Sequence, residues 1–250
     1  MIQFTEEQLE EMLVDGQFLA EGGNGRVSLV KHGSGFAALK ICRQMDVLAF
    51  HQECVFLSLL EDSEAAPKLL GTSVGPTPAY LMEYCGRRNL EAILNSNRYD
   101  PLKKLKLVLN VGYKLQKIHN AGIIHNDMKS DNIVIADDGE LEDPNSVRII
   151  DYGLATYAFQ KRGFILPSDQ FLWMAPEVKA GRPSTSKSDV YSFGMILRHL
   201  WSKISVIFPG LLSISREATR ELQLLRPTLN SVLRQLEDII YKYEASHRIQ

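Results

Sequence analysis

The stretch from Gly122 to Ile135 constrains this chain more than any other. Two apolar runs, Ile123 with Ile124 and Ile133 to Ile135, flank a polar loop that carries His125, Asp127, Lys129, Asp131 and Asn132. Core anchors on both sides of a charged loop fix several charges within a few ångströms of one another. A second apolar run, Val147 to Ile150, ends on Asp151, Tyr152 and Gly153. Asp127 and Asp151 stand 24 positions apart, enough chain for a hairpin that returns Asp151 beside the first loop. Two carboxylates and a carboxamide, without thiolates or paired histidines, form an oxygen donor set. Such a set suits Mg²⁺, usually together with a phosphate ligand. The competing reading of the same residues is a pair of helix-cap and turn acids, because short motifs also match by chance.

Composition narrows the class. The 250 residues are 45% hydrophobic and 23% charged, with a formal charge of −2. That excludes a disordered chain and a basic nucleic-acid arm, and it suffices for a sizeable core. No apolar run approaches the ~18–20 residues that cross a bilayer. The richest stretch, Gly194 to Ile214, is broken by Arg198, Lys203 and Pro209. The start is acidic (Glu6, Glu7, Glu10, Glu11), the opposite of a targeting segment. Cys42, Cys54 and Cys85 lack metal-ligand spacing, which argues against a disulfide framework or a zinc ribbon. The expectation is a soluble, cytoplasmic protein with neither nucleic acid nor membrane as partner, its oligomeric state left open.

Residues 1–16 read as a helical extension. Thr5 and Gln8 have capping-box spacing, Phe4 and Leu9 hydrophobic-staple spacing, and the helix is expected to pack on the domain's own surface. From Gln17 the pattern is strand-like, and Gly22, Gly23 and Gly25 mark a hairpin tip whose backbone can approach an anion. A strand from Phe36 to Ile41 carries Lys40, which by itself reads as an edge charge facing water. Asp46 to Leu60 has a helical apolar stripe of Val47, Phe50, Cys54, Leu57 and Leu60. Glu53 beside it is either a solvated carboxylate or an inward ion-pair partner. Strands follow at Leu69 to Val74 and Ala79 to Glu83. The break at Gly86 to Asn89 divides a lobe of residues 17–85 from one of residues 86–250 that is mainly helical. Lys103, Lys104, Lys106, Lys114 and Lys117 interleave with a helical apolar stripe, and they are expected to form a solvated outer face.

Taken in order, these segments resemble a eukaryotic-type protein kinase domain, from about Gln17 to about Tyr243. The resemblance implies an α+β, two-lobed fold, with a small antiparallel β-sheet and one helix in the N-lobe and a mainly helical C-lobe. Ala20, Gly22, Gly23, Gly25 and Val27 correspond to the glycine-rich loop, with alanine at its first glycine. Lys40 matches the lysine that binds the α- and β-phosphates, and Glu53 its helix partner. Met82, Glu83 and Cys85 resemble the hinge that grips adenine, with Met82 as gatekeeper. Val27, Ala38 and Val134 would sandwich the base. His125 to Asn132 is similar to the catalytic loop, with Asp127 as the residue that orients the acceptor hydroxyl and Lys129 as the charge neutraliser. Asn132 and Asp151 would hold the metal. Ala175, Pro176 and Glu177 resemble the close of the activation segment, and Arg226 the arginine that pairs with Glu177.

The implied activity is transfer of the γ-phosphoryl group of ATP, with Mg²⁺ or alternatively Mn²⁺, to Ser/Thr hydroxyls of a protein substrate. The wording leans to the tyrosine-kinase-like branch. The alternative is a pseudokinase-like scaffold that binds ATP with little catalysis. Four departures bear on this. Asn126 replaces the arginine that meets an activation-loop phosphate in many kinases. Tyr152 replaces a phenylalanine and calls for a hydroxyl partner. Asp169 and Gln170 replace the Gly-Thr pair that shapes the acceptor cleft. Asp189 and Arg226 lie only 37 positions apart, a shortened C-lobe. The segment offers Thr156, Tyr157 and Ser168 as modifiable hydroxyls and Lys161 and Arg162 as nearby cations. Its order is expected from packing of Phe171, Leu172 and Trp173, without phosphorylation.

Overall fold

A computed structural model describes residues 2–23, 25–43, 47–161, 165–167 and 169–247. Asn24, Asp46, Arg162 and Ser168 lie outside the described residues.

The chain opens with β1 (Ile2–Phe4) and α1 (Glu6–Val14). Five longer strands and a helix follow: β2 (Gln17–Gly22), β3 (Gly25–His32), β4 (Gly35–Cys42), α2 (Val47–Leu59), β5 (Leu69–Ser73) and β6 (Ala79–Glu83). The six strands form one sheet in the order β1-β5-β6-β4-β3-β2, antiparallel except for the pair β1–β5. The first strand was not anticipated in residues 1–16. It adds to the β5 edge, while the Thr5 capping box starts α1 as the spacing implies. Phe4 and Leu9 are both buried against Val30, Ala37, Leu39, Ala79 and Leu81. The extension thus covers one face of the sheet.

Lys40 alternates with Leu39 and so points to the opposite face, toward Glu53 of α2. It lies on β4, between β3 and β6, and is 4% exposed. The edge-strand reading fails because the strand is central. Gly25 is needed at the hairpin for close approach: its φ is +146°, and a Cβ there would stand 2.1 Å from the Ile41 carbonyl oxygen. On α2, Phe50, Cys54 and Leu57 are buried as the stripe implies, but Val47 is 48% exposed.

Beyond β6 lie β7 (Arg88–Asn89), α3 (Leu90–Asn95), α4 (Pro101–Asn120), β8 (Ile123–Ile124), β9 (Ile133–Ile135), β10 (Val147–Ile149) and β11 (Thr156–Tyr157). The chain continues through α5 (Pro176–Lys179), α6 (Ser186–Lys203), α7 (Leu211–Ala218) and α8 (Leu229–His247). Asp100 caps α4 through its carboxylate, followed by Pro101 at the first helical position. The apolar faces of α4, α6 and α8 meet around Val111, Phe193 and Leu236 in the largest core cluster. The solvated-lysine expectation fails at two positions. Lys104 and Lys114 are each 2% exposed and donate to the carbonyls of Leu94 (2.9 Å) and Glu64 (2.7 Å). Long stems let a lysine bury its length while its ammonium finds a carbonyl. Antiparallel β9 and β10 return Asp151 to the polar loop. Among the described residues no helix is long and apolar enough to cross a membrane.

Candidate active site

The central strand β4 and the helix α2 meet at one ion pair. Lys40 Nζ donates to both carboxylate oxygens of Glu53, at 2.8 and 2.9 Å, and to Asp151 Oδ1 at 3.0 Å. Glu53 is 3% exposed and also accepts from the Tyr152 backbone N–H at 3.0 Å. Of the two readings of Glu53, the inward one is realised. Burial alone would lower the Lys40 pKa, but Glu53 and Asp151 outweigh it and raise it well above the usual lysine range. The ammonium is fixed as a cation and lies 5.7 Å from the centre of the Tyr80 ring.

The polar loop is fastened from below. Asp189, fully buried on α6, accepts from the backbone N–H groups of His125 and Asn126 (2.8 Å each) and from His119 Nε2 (2.9 Å). The His125 ring spans Ile150 O (3.1 Å) and the Asp127 N–H (3.2 Å), so Nε2 carries the proton and Nδ1 accepts. Asn132 Nδ2 donates to the Asp127 carbonyl (2.9 Å) and to Asp127 Oδ2 (2.8 Å). Lys129 Nζ lies 3.6 Å from the same oxygen. Asn126 and Asp151 sit at φ 64° and 65° in the left-handed region, uncommon for residues with side chains and frequent at functional sites.

Lys40, Lys129, Asn132 and Asp151 border one cavity of about 380 Å³, within the range of small-molecule sites. Its walls include Ala20, Gly22, Gly25, Val27, Lys40, Met82, Lys129, Asn132 and Asp151. Not every expected residue lines it. Gly23 borders a smaller cavity with Glu53 and Gly153, and Glu83 and Cys85 border another with Asp137 and Arg148. Ala38 and Val134 are buried at 5% and 8% exposure. Asp127 is not a wall residue but accepts from one, Asn132. Asp131 of the polar loop also lines it, and Tyr80, Asn89 and Ile150 are additional wall residues that the motifs do not single out.

Two substituted positions resolve differently. The Asn126 amide donates to Leu154 O (3.1 Å) and Thr156 Oγ1 (3.0 Å), and Thr156 is in turn 3.0 Å from Ser184 Oγ. Tyr152 is 1% exposed and stacks edge-on against His125, and its hydroxyl is buried with no hydrogen-bond partner among the described residues. Glu177 and Arg226 form the buried pair that the motifs implied, at 2.6 and 2.8 Å. Phe171 and Trp173 pack beside Met174, Ala175 and Val178, whereas Leu172 is 63% exposed and stands apart from that cluster.

The protein kinase domain family model matches residues 13–242. The chain belongs to the protein kinase family. Its relatives include the serine/threonine/tyrosine-protein kinase HT1 of Arabidopsis thaliana, 29% identical over 163 residues that make up 64% of this chain and 40% of that protein. The serine/threonine-protein kinase CTR1 of the same plant is 29% identical over 185 residues, 68% of this chain and 21% of CTR1. The serine/threonine-protein kinase mos of Patiria pectinifera is 30% identical over 204 residues, 74% of this chain and 55% of mos. The kinase chain thus spans from about a fifth to about half of these relatives. HT1 and CTR1 accord with the lean toward the tyrosine-kinase-like branch.

Proposed function

We propose that this kinase domain transfers the γ-phosphoryl group of ATP to Ser/Thr hydroxyls of protein substrates, with Mg²⁺, or Mn²⁺ in its place. The observation that carries the reading is the completed chain Glu53–Lys40–Asp151 beside a catalytic loop whose Asp127 and Asn132 are already bonded to each other. Phosphoryl transfer needs placement and charge neutralisation more than covalent help, and these groups are of the kind that supplies both.

The cavity fits the nucleotide and the ion. A Cβ at Gly22 would meet nothing within 4 Å, so the β2 backbone is bare toward the space that phosphates would fill. The metal donors on offer, Asn132 and Asp151, are hard oxygen ligands. Among the described residues no cluster of three or more His, Cys, Asp or Glu side chains forms a cage. Mg²⁺ commonly binds in this way, with one or two protein oxygens supplemented by phosphates and water. Bound ATP and Mg²⁺ supply the transferable group and the neutralisation of its charge.

The chain's own residues do the rest. Lys40, oriented by Glu53, holds the α- and β-phosphates. Asn132 and Asp151 hold the ion. Val27, Ala38, Val134 and Met82 provide the apolar surroundings of the base, and the backbone of Glu83 and Cys85 its polar edge. Asp127 accepts the hydroxyl proton, and Lys129 offsets charge on the moving phosphoryl group. Residues 17–85 and 86–250 act as the two lobes and residues 1–16 as an extension packed on the first. A cytoplasmic setting supplies ATP and suits thiols such as Cys54 and Cys85.

The test is incubation with γ-labelled ATP, Mg²⁺ and generic protein substrates, followed by phosphoamino-acid analysis. Labelled phosphoserine or phosphothreonine supports the proposal, and its loss in Lys40→Met ties it to this cavity. Nucleotide binding without label on protein would favour a scaffold. Label confined to small molecules would favour a different phosphotransferase.

A further inference from the structure

Asp127 is held through both of its carboxylate oxygens, and one donor comes from far along the chain. Asn132 Nδ2 serves Oδ2, while Trp173 Nε1 donates to Oδ1 at 2.7 Å. Trp173 also faces Lys129, whose ammonium lies 4.9 Å from the indole centre. One side chain of the activation segment thus touches both charged groups on the acceptor side. The indole is itself restrained. Its ring meets Phe171 edge-on at 5.6 Å and packs on the Met174, Ala175 and Val178 cluster. Immediately beyond, the Glu177–Arg226 pair ties that cluster to the C-lobe.

We propose that Trp173 is a positioning residue for the acceptor-side chemistry: its N–H fixes the carboxylate plane of Asp127, and its face restrains Lys129. The terminal torsion of an aspartate is broad and roughly two-fold, so a single donor leaves the carboxylate free to swing. One donor on each oxygen removes that freedom. Hydrogen bonds to an ionised acceptor are also about twice as strong as neutral ones, which makes the indole a firm tether. Order in the activation segment and geometry at Asp127 become one property, with no added charge required. This rests on the reading of Asp127 as the proton acceptor in phosphoryl transfer.

The chain has two tryptophans, so its indole N–H groups give two separable ¹H–¹⁵N signals, and Trp201 is 45% exposed. Trp173→Phe and Trp201→Phe assign them. The expected result is a Trp173 signal that exchanges slowly with solvent and moves in Asp127→Ala while the Trp201 signal stays in place. In kinetics, Trp173→Phe keeps an aromatic face and deletes only the donor. It should lower kcat about ten- to a hundred-fold, as for loss of a hydrogen bond to a charged group, and leave the KM for ATP unchanged. Trp201→Phe should keep the wild-type kcat. Wild-type turnover in Trp173→Phe, a parallel loss of ATP affinity, or a Trp173 signal indifferent to Asp127→Ala would overturn the proposal. Absence of any transfer by the wild-type protein would refute the kinase reading instead, and the spectra would still decide whether Trp173 holds Asp127.

Discussion

Replacing Arg226 with alanine should destabilise this kinase more than almost any other single change. The guanidinium is 2% exposed and donates to five acceptors. Two are the oxygens of Glu177, and the others are the carbonyls of Arg220 (2.7 Å), Lys187 (3.0 Å) and Glu221 (3.0 Å). Its plane also lies 4.9 Å from the centre of the Tyr191 ring. Removing it strands the Glu177 carboxylate, although Ser188 Oγ (2.7 Å) and Gln223 Nε2 (3.1 Å) still donate to its Oε1. Breaking one side of a buried pair costs about 3–5 kcal/mol. For a domain of this size that corresponds to a fall in Tm of about 10 °C. The intact pair need not be strongly stabilising, because both ions were taken out of water. Glu177→Leu combined with Arg226→Met should therefore recover much of the loss. Arg226→Lys should not rescue fully, since one ammonium cannot reproduce a planar five-donor fork. Thermal and urea unfolding of the four proteins measure this. A loss below about 1 kcal/mol in Arg226→Ala would refute the reasoning, because so small a cost is that of a surface pair.

Phosphatase-treated protein, shown by mass to carry no phosphate, should retain its full initial velocity. Thr156 is 6% exposed and already bonded to Asn126 and Ser184, and a requirement for modification there would contradict this. Burial pushes the Cys54 and Cys85 thiols up to about 12, with the neighbouring carboxylates Glu53 and Glu83 adding to it. Both should alkylate slowly at pH 8, where about one part in ten thousand is thiolate, and rapid iodoacetamide labelling of the folded protein would contradict the packing. Burial would raise the Glu177 carboxyl, but Arg226 and Ser188 hold it below its ordinary 4.5. Its stabilising contribution is then fully present above that value and lost as pH falls through the lower folded one. Glu177→Gln should accordingly flatten the acid limb of stability against pH, and an unchanged slope would contradict the assignment.

The chemistry of the site was legible because each charged residue sits in an apolar frame with a short period. Lys40 lies among Ala37, Ala38 and Leu39, and Asp127 and Asp151 follow or precede runs of isoleucine and valine. What decided Lys40 and Glu53 between exposed and inward readings was tertiary placement: β4 is central, and α2 brings Glu53 to the face on which Lys40 points. No local pattern reveals which strand will be central. Lys104 and Lys114 misled for a related reason, since a lysine on an amphipathic helix looks solvated until a carbonyl from another segment meets it. The strand at Ile2–Phe4 was hidden by its length, three residues whose pairing depends on the β5 edge. Packing alone does not account for Trp173. Its N–H donor was the available signal, since a half-buried indole usually finds an acceptor.

The central claim is that Asp127 works on the acceptor side of a nucleotide site that is otherwise complete. Single-turnover transfer from γ-labelled ATP, with ATP affinity measured on the same samples, tests it by comparing wild type with Asp127→Asn. The account predicts equal affinity and a transfer rate that collapses in the variant. Equal transfer rates, or a loss of affinity that matches the loss of rate, would contradict it.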